Sequence, residues 1–599
     1  MNQRLLVGML VASLAACSNG SSKPDGGAGS GGSSGGTSAG GGGGGGATGA
    51  GGATGNGGAT GSGGATGSGG ATATGGTGGA TGTGGATGTG GTGGATGTGG
   101  ATGTGGATGT GGAGGSVAST GSVLERNNHP NRDGNFTQPA LDKTAAGRMA
   151  MDTGFPAAFS GNTWASPLYI ENGPGGAGAF IVVTTANNVI ALHEDGTMAW
   201  SKNIGTPSTS NNNGCSFAPI AGPIGILSTP VIDGNARVIY AAAATGTASG
   251  ITGHIASALN VEDGSIRAGW PVNISTALNF TANIHNQRSA LSLVNGVLFV
   301  GYGGFVGDCM AYHGRVATIN TAVNPPTVTG FATLGQGEGI WAAGGFASDG
   351  TSVFVVTGNS TVAANNHATS DSEEVIRLTG TTAPTRNNQN VYFPSRWMTM
   401  DSGDLDFGAS NAVLVSLSGY TPTNYVVAVS KDGHLYFLDA ANLGGSDGHK
   451  VDFMVSGAAM NIRTVPTVFK DAKGAHIAFT IAAQASGCPN GMTGPVVMSV
   501  LIPPAGTGAT VPRPQVEWCA AVSGSLTAPI STTTDGQTNA IVWYVSNSKL
   551  VGVDGDTGAS LFAGGSGTCS NVPQWTSPIA VKGRIVVAGN GHLCSWSPH

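Results

Sequence analysis

The chain has 599 residues, of which 111 are glycine and only 9% are charged, with 23 Lys and Arg against 29 Asp and Glu for a formal net charge of −6. So mild an acidity, with no basic run, excludes nucleic acid as a partner. Beyond the N-terminus no segment is long and apolar enough to cross a bilayer as a helix.

In chain order the first element is MNQRLLVGMLVASLAAC, where Arg4 precedes an apolar run from Leu5 to Ala16 that is too short to span a membrane. Residues 1–17 read as a signal peptide. The end of the run, Leu14-Ala15-Ala16-Cys17, resembles the lipobox of bacterial lipoproteins, in which small residues precede a Cys that is lipidated and becomes the new N-terminus. That resemblance implies a lipid anchor on Cys17, and Ser18 behind it implies the outer membrane, with either face of that membrane open to the chain. Ordinary secretion is the other reading. Residues 18–116 form the second element. Gly26 to Leu124 carries no charge and repeats units such as GGATGTGG. Such a stretch buries too little apolar surface to offset the entropy of ordering, so a disordered tether is expected, with a mean reach of about 50–60 Å.

Residues 117–599 are the folded part. A unit of short apolar strand, turn, strand, gap, third strand and acidic turn starts at Ser166, Ser228 and Ser289. Weaker copies start near Ala342, Ser410, Val465, Thr527 and Thr576. The segments between turns are rich in Val, Ile, Tyr and Phe and bounded by Gly, Asn and Asp, which is strand chemistry. Radial repetition of four-stranded sheets protects strand edges, so the expectation is an all-β, eight-bladed β-propeller. The coils of a parallel β-helix are much shorter than this period. The last unit has three strands, and the stretch GRMAMDTGFPAAF near Gly147 supplies the fourth, closing the ring.

Six Cys follow Cys17, and an even number in an exported chain argues for disulfides, with fifteen pairings open. Pairing within repeat units joins Cys488 to Cys519 and Cys569 to Cys594, leaving Cys215 and Cys309 to each other.

The outer turns ALHEDGTMAW (191–200), ALNVEDGSIRAGW (258–270) and GVDGDTGASLF (552–562) resemble the tryptophan-docking repeat of the quinoprotein dehydrogenases, the propeller superfamily named for pyrroloquinoline quinone (PQQ). The resemblance covers nearly the whole folded part and makes Trp200 and Trp270 packing residues between blades. It also implies a site. VVTGNS places Asn359 as a calcium ligand, and Trp341 falls where a Trp forms the floor under the quinone. Asp308 is the carboxylate nearest to the family's Glu ligand. DSGDLDFGASN places Asp406 as base and calcium ligand, and SKDGHLYFLD places Lys431 beside the reactive carbonyls. Arg288 falls where it could meet a PQQ carboxylate. Calcium takes hard oxygen ligands and would polarise a quinone carbonyl, with Asp406 as base and Lys431 balancing oxygen charge. The family's adjacent Cys-Cys disulfide is absent, and Leu405 replaces the Trp of its W-D pair. Asn359 also reads as a turn residue, Trp341 as channel packing, Asp401, Asp404 and Asp406 as solvated turn carboxylates, VDGDTG around Asp554 as a hairpin turn, and His285 and His313 as polar loop residues.

Two functions remain open from sequence. One is a surface-displayed lipoprotein whose propeller is a non-catalytic module for a protein, glycan or small-molecule ligand at its mouth. The alternative is a PQQ- and calcium-dependent alcohol or sugar dehydrogenase.

Overall fold

A computed structural model describes residues 121–599 apart from 210–219, 307, 309, 363–365, 458–461, 507 and 525. The signal peptide, Cys17, the tether and the expected Cys215–Cys309 pair therefore lie outside the described residues.

The described strands form eight sheets, one per expected repeat. Their innermost strands are Leu168–Ile170 (blade 1), Val231–Asp233 (blade 2), Ser292–Val294 (blade 3), Ala347–Ser348 (blade 4), Ala412–Ser416 (blade 5), Thr467–Asp471 (blade 6), Ile530–Thr533 (blade 7) and Ile579–Val581 (blade 8). Each opens an antiparallel meander, as the spacing of the repeats required. Second strands such as Ala179–Val183 and Val353–Val356 are buried along their whole length, because each blade is covered on both faces by neighbours and polar alternation has no solvent face to serve. Tight hairpins explain several turn residues. Asn295-Gly296, Asn547-Ser548 and Lys582-Gly583 each hold two successive positive φ angles between paired strands, the geometry of a two-residue turn that matches strand twist.

Blade 8 takes its fourth strand from the other end of the chain: Met149–Met151 pairs with His592–Pro598, with Met149 opposite Pro598 and Met151 opposite Trp596. Two disulfides join Cys488 to Cys519 and Cys569 to Cys594, with sequence separations of 31 and 25. Loops of that length correspond to about 3–4 kcal/mol each in the chain-entropy account.

The docking repeats behave as turns. Asp195, Asp263 and Asp554 each accept the N–H two residues on through Oδ1, at 2.9, 2.9 and 2.8 Å. Asp554 and Asp556 also hold Lys143 Nζ, at 3.0 and 2.5 Å, as an ion pair. Trp200 crosses to blade 2: its Nε1 donates to Val261 O at 2.9 Å, and its ring lies where a Cβ on Gly264 would come within 2.6 Å. Trp518 repeats the arrangement from blade 6 to blade 7, donating to Gly555 O at 2.7 Å over Gly558. Trp270 packs on Tyr240 of its own blade at 5.5 Å and lies against the apolar cluster shared by blades 2 and 3.

A segment without repeat character organises the centre. Val123 pairs with Tyr169 of blade 1, Leu124 O accepts from Ile232 of blade 2, Pro130 O from Ser348 of blade 4 and Asn131 O from Leu414 of blade 5. Asp133 O accepts from Val468 of blade 6, and Gly134 O from Ser531 of blade 7. Asn135–Thr137 then adds a parallel strand to blade 7, and the Gln138 side chain bonds Ala580 O and Gly583 N–H of blade 8. Arg132, fully buried, supplies blade 3. Its five N–H groups are all used, on Glu125 Oε2 (2.8 Å), Arg126 O (2.6 Å), Phe346 O (3.0 Å), Leu291 O (3.0 Å) and Ser292 Oγ (2.6 Å).

Replacing Arg132 with Met leaves carbonyls and the Glu125 carboxylate unpaired in the interior, and should lower stability by about 3–5 kcal/mol. Urea unfolding would show it as a lower midpoint at unchanged m. A pH effect follows from His476, buried between Glu517 and Asp471 at 2.8 and 2.9 Å. Burial opposes its charge, but the two carboxylates outweigh burial and raise its pKa. Its contribution is therefore complete below the ordinary imidazole value and is lost as pH climbs through the raised one. Between pH 6 and 9 the wild type should lose more stability than His476→Gln, and parallel unfolding midpoints would refute the assignment.

Candidate functional site

The residues singled out by sequence sit at one end of the axis, because they precede innermost strands or follow second strands, which are antiparallel to them. Arg288, Trp341 and Asp406 come before blades 3, 4 and 5, and Trp575, which the sequence did not mark, comes before blade 8. Asp308, Asn359 and Lys431 follow the second strands of blades 3, 4 and 5.

Trp341 is 6% exposed, in a cradle of glycine. A Cβ on Gly339, Gly303 or Gly358 would lie 1.4, 2.4 or 2.7 Å from its ring. The glycine of VVTGNS is thus required by the indole beside it, and Asp406 Oδ1 crowds the same position at 3.2 Å. Above the ring lies Arg288: its Nε donates to Trp341 O at 2.8 Å, and its guanidinium carbon is 6.0 Å from the Trp341 ring and 4.5 Å from that of Trp575. Trp575 in turn packs on Trp164 at 5.5 Å. Blades 4 and 8 are opposite in an eight-membered ring, so Trp341, Arg288 and Trp575 make a side-chain bolt across the axis. Trp575 holds φ +65°, a costly conformation for a bulky residue, and Arg126 of the N-terminal segment donates to its carbonyl.

Asp406, 1% exposed, is the centre of the polar half, contrary to its reading as a solvated turn residue. Its Oδ1 accepts Asn359 N–H at 3.1 Å and its Oδ2 meets Lys431 Nζ at 2.5 Å. Lys431 also binds Asp404 Oδ1 at 2.7 Å. Asp404 keeps a half-exposed side chain, and Asp401 accepts from Ser360 N and Ser372 Oγ. Glu373, which sequence reasoning passed over, is fully buried and accepts Phe407 N–H at 2.8 Å, while its Oε1 has no partner. Asn359 Oδ1 is likewise buried without a partner. Asp308 receives the Tyr312 hydroxyl at 2.5 Å. Five carboxyls, Asp308, Asp401, Asp404, Asp406 and Glu373, thus face two cations, Arg288 and Lys431.

The electrostatics follow from burial and this imbalance. Burial, with Asp406 and Asp404 nearby, pushes Asp308 up to about 6 against the Tyr312 hydrogen bond. Burial and Asp406 hold Glu373 well above the carboxylate range. Burial pulls Arg288 down to about 10, resisted by Asp308 and Asp406, whereas for Lys431 the pull of burial is outweighed by Asp406 and Asp404 and its pKa rises. His285 is a loop residue, as read, but a buried one: it is held on Thr281 O at 2.7 Å, and burial takes its pKa down to about 3.

The arrangement brings Arg288, Asp308, Trp341, Asn359, Asp406 and Lys431 into one neighbourhood. For the quinone that the resemblance implies, the space over Trp341 is bounded by the Arg288 guanidinium, whose carbon stands 6.0 Å from the ring centre. For calcium, Asn359 Oδ1 is a free hard donor, and each oxygen of Asp406 already accepts one hydrogen bond. Among the described residues the only three Cys, His, Asp or Glu ligand atoms within 4.8 Å of one another belong to Cys569, His592 and Cys594, two of them tied up in a disulfide.

No protein-family profile and no curated protein matches the chain. Solved structures do. The quinohemoprotein alcohol dehydrogenase from Comamonas testosteroni aligns over 80% of this chain and 81% of its own with 12% identity and a TM-score of 0.55. A europium-containing methanol dehydrogenase aligns over 79% of this chain and 91% of its own with 12% identity and a TM-score of 0.53. At such identity the likeness is one of fold, and the chain is an all-β, eight-bladed propeller resembling the quinoprotein dehydrogenases.

Proposed function

We propose that the chain is an envelope lipoprotein, anchored through Cys17, whose propeller is a non-catalytic binding module taking its ligand at the loops of the axial mouth. The observation that carries this reading is the bolt: Arg288 stands 4.5 Å from the Trp575 ring and 6.0 Å from that of Trp341, narrowing with protein the place where a flat cofactor would stack. Strained backbone at the same end supports a site kept for recognition. Asp308, Glu373, Asp404 and Trp575 all hold positive φ, at about 1–3 kcal/mol each. Met310, Val362 and Met398, 55%, 55% and 52% exposed, stand on loops of blades 3 and 4 and on the connection to blade 5, where each offers an apolar side chain to solvent.

A second reading keeps the PQQ- and calcium-dependent dehydrogenase, with Asp406 as base, Lys431 as charge stabiliser and Asp308, Asn359 and Asp406 as calcium ligands. It is favoured by the unpaired Asn359 Oδ1 beside Asp406. In that case the quinone would supply hydride acceptance, and Arg288 would have to leave the face of Trp341.

Calorimetric titration of PQQ with calcium into the full chain separates the two. The binding reading expects no heat and no dye reduction with alcohols or sugars. Micromolar binding lost in Asn359→Ala and Asp406→Ala would establish the dehydrogenase. A thermal-shift panel of glycans and small metabolites is expected to yield a ligand whose affinity falls at least tenfold in Met398→Asp, a surface change that leaves the bolt intact.

A further inference from the structure

We infer that Lys431 is the resident cation of the axial acidic site, a built-in ammonium seated on the carboxylate of Asp406, which the family resemblance makes a metal ligand. This deepens the binding reading above and rests on it.

The ammonium has three N–H donors, and the structure gives each an acceptor: Asp406 Oδ2 at 2.5 Å, Asp404 Oδ1 at 2.7 Å and Asp404 O at 3.1 Å. The backbone closes the same ring, since Lys431 N–H donates to Asp406 O at 3.2 Å. Asp404 can offer both its carbonyl and its carboxylate because it caps the helix Trp397–Gly403 in the left-handed conformation, φ 54° and ψ 45°. Each oxygen of Asp406 already accepts a donor, Oδ1 from Asn359 N–H and Oδ2 from the ammonium. A calcium ion needs six to eight oxygens at about 2.3–2.6 Å, and here a positive charge already lies against the central carboxylate. Two hard donors remain unused beside it, Asn359 Oδ1 and Glu373 Oε1, both buried.

The consequence can be tested by making a metal site. Lys431→Met removes the charge and keeps the bulk, leaving Asp404 and Asp406 without a counter-ion next to those two free oxygens. Terbium, a hard trivalent probe, should then bind at least tenfold more tightly to the full-length variant than to wild type. Emission sensitised through Trp341 should report it and should vanish in Lys431→Met/Asp406→Asn. Wild type binding terbium as tightly as the variant would overturn the inference. Should the variant not fold, amine acylation of wild type decides. Lys431 is expected to react at least tenfold more slowly than exposed Lys202, faster in Asp404→Asn, and at a rate millimolar calcium does not change. Labelling as fast as Lys202, or its acceleration by calcium, would equally refute the assignment. The failures are separable: PQQ uptake by wild type counts against the binding reading, terbium uptake by wild type against Lys431.

Discussion

The interaction on which the rest of the fold depends is the fivefold use of one guanidinium. Arg132 is withdrawn from water and made to satisfy two backbone carbonyls and a hydroxyl from blades 3 and 4 together with Glu125 and Arg126 of its own segment. A propeller is a ring of sheets that each touch only their neighbours, so nothing in a single blade dictates where the opposite one should stand. Here the run from Val123 to Gln138 bonds in turn to every blade, and the buried arginine fixes that run in the middle of the circuit. Withdrawing such a charge is costly unless every donor is met, which is why its neighbours present oxygens rather than apolar groups.

Most of the blade order was legible in the sequence, because each start was marked by a small residue just ahead of a β-branched run: Ser166 before Leu168, Ser410 before Ala412, Thr576 before Ile579. The N-terminal segment was not. SVLERNNHPNRDGNFTQ has no period of two and no apolar stripe, and its bonds reach backbone atoms up to 449 residues away, which no local pattern encodes. The same reason hides Trp518, whose docking partner Gly555 lies in the next blade.

At the axial end, sequence spacing located the side chains but not their occupancy. That Asn359, Asp406 and Lys431 share a neighbourhood follows from their lying at the same end of the neighbouring blades 4 and 5. What each contacts depends on residues without a motif: Asp404 takes the second bond of Lys431, Glu373 adds a buried carboxyl, and Trp575 receives Arg288 from across the ring. Resemblance to an enzyme family transmits positions, whereas function turns on whether side chains fill the space a cofactor would need.

The route of the N-terminal segment has a mechanical meaning. Tension arriving along the chain ahead of Gly121 enters the propeller at Val123 and runs through a strand of bonds shared out among blades around the ring, with Arg132 as a pinned midpoint. A load applied to one edge strand would peel hydrogen bonds one at a time. Applied at Val123 it is spread through the hub, and the sheets keep their mutual order under the load.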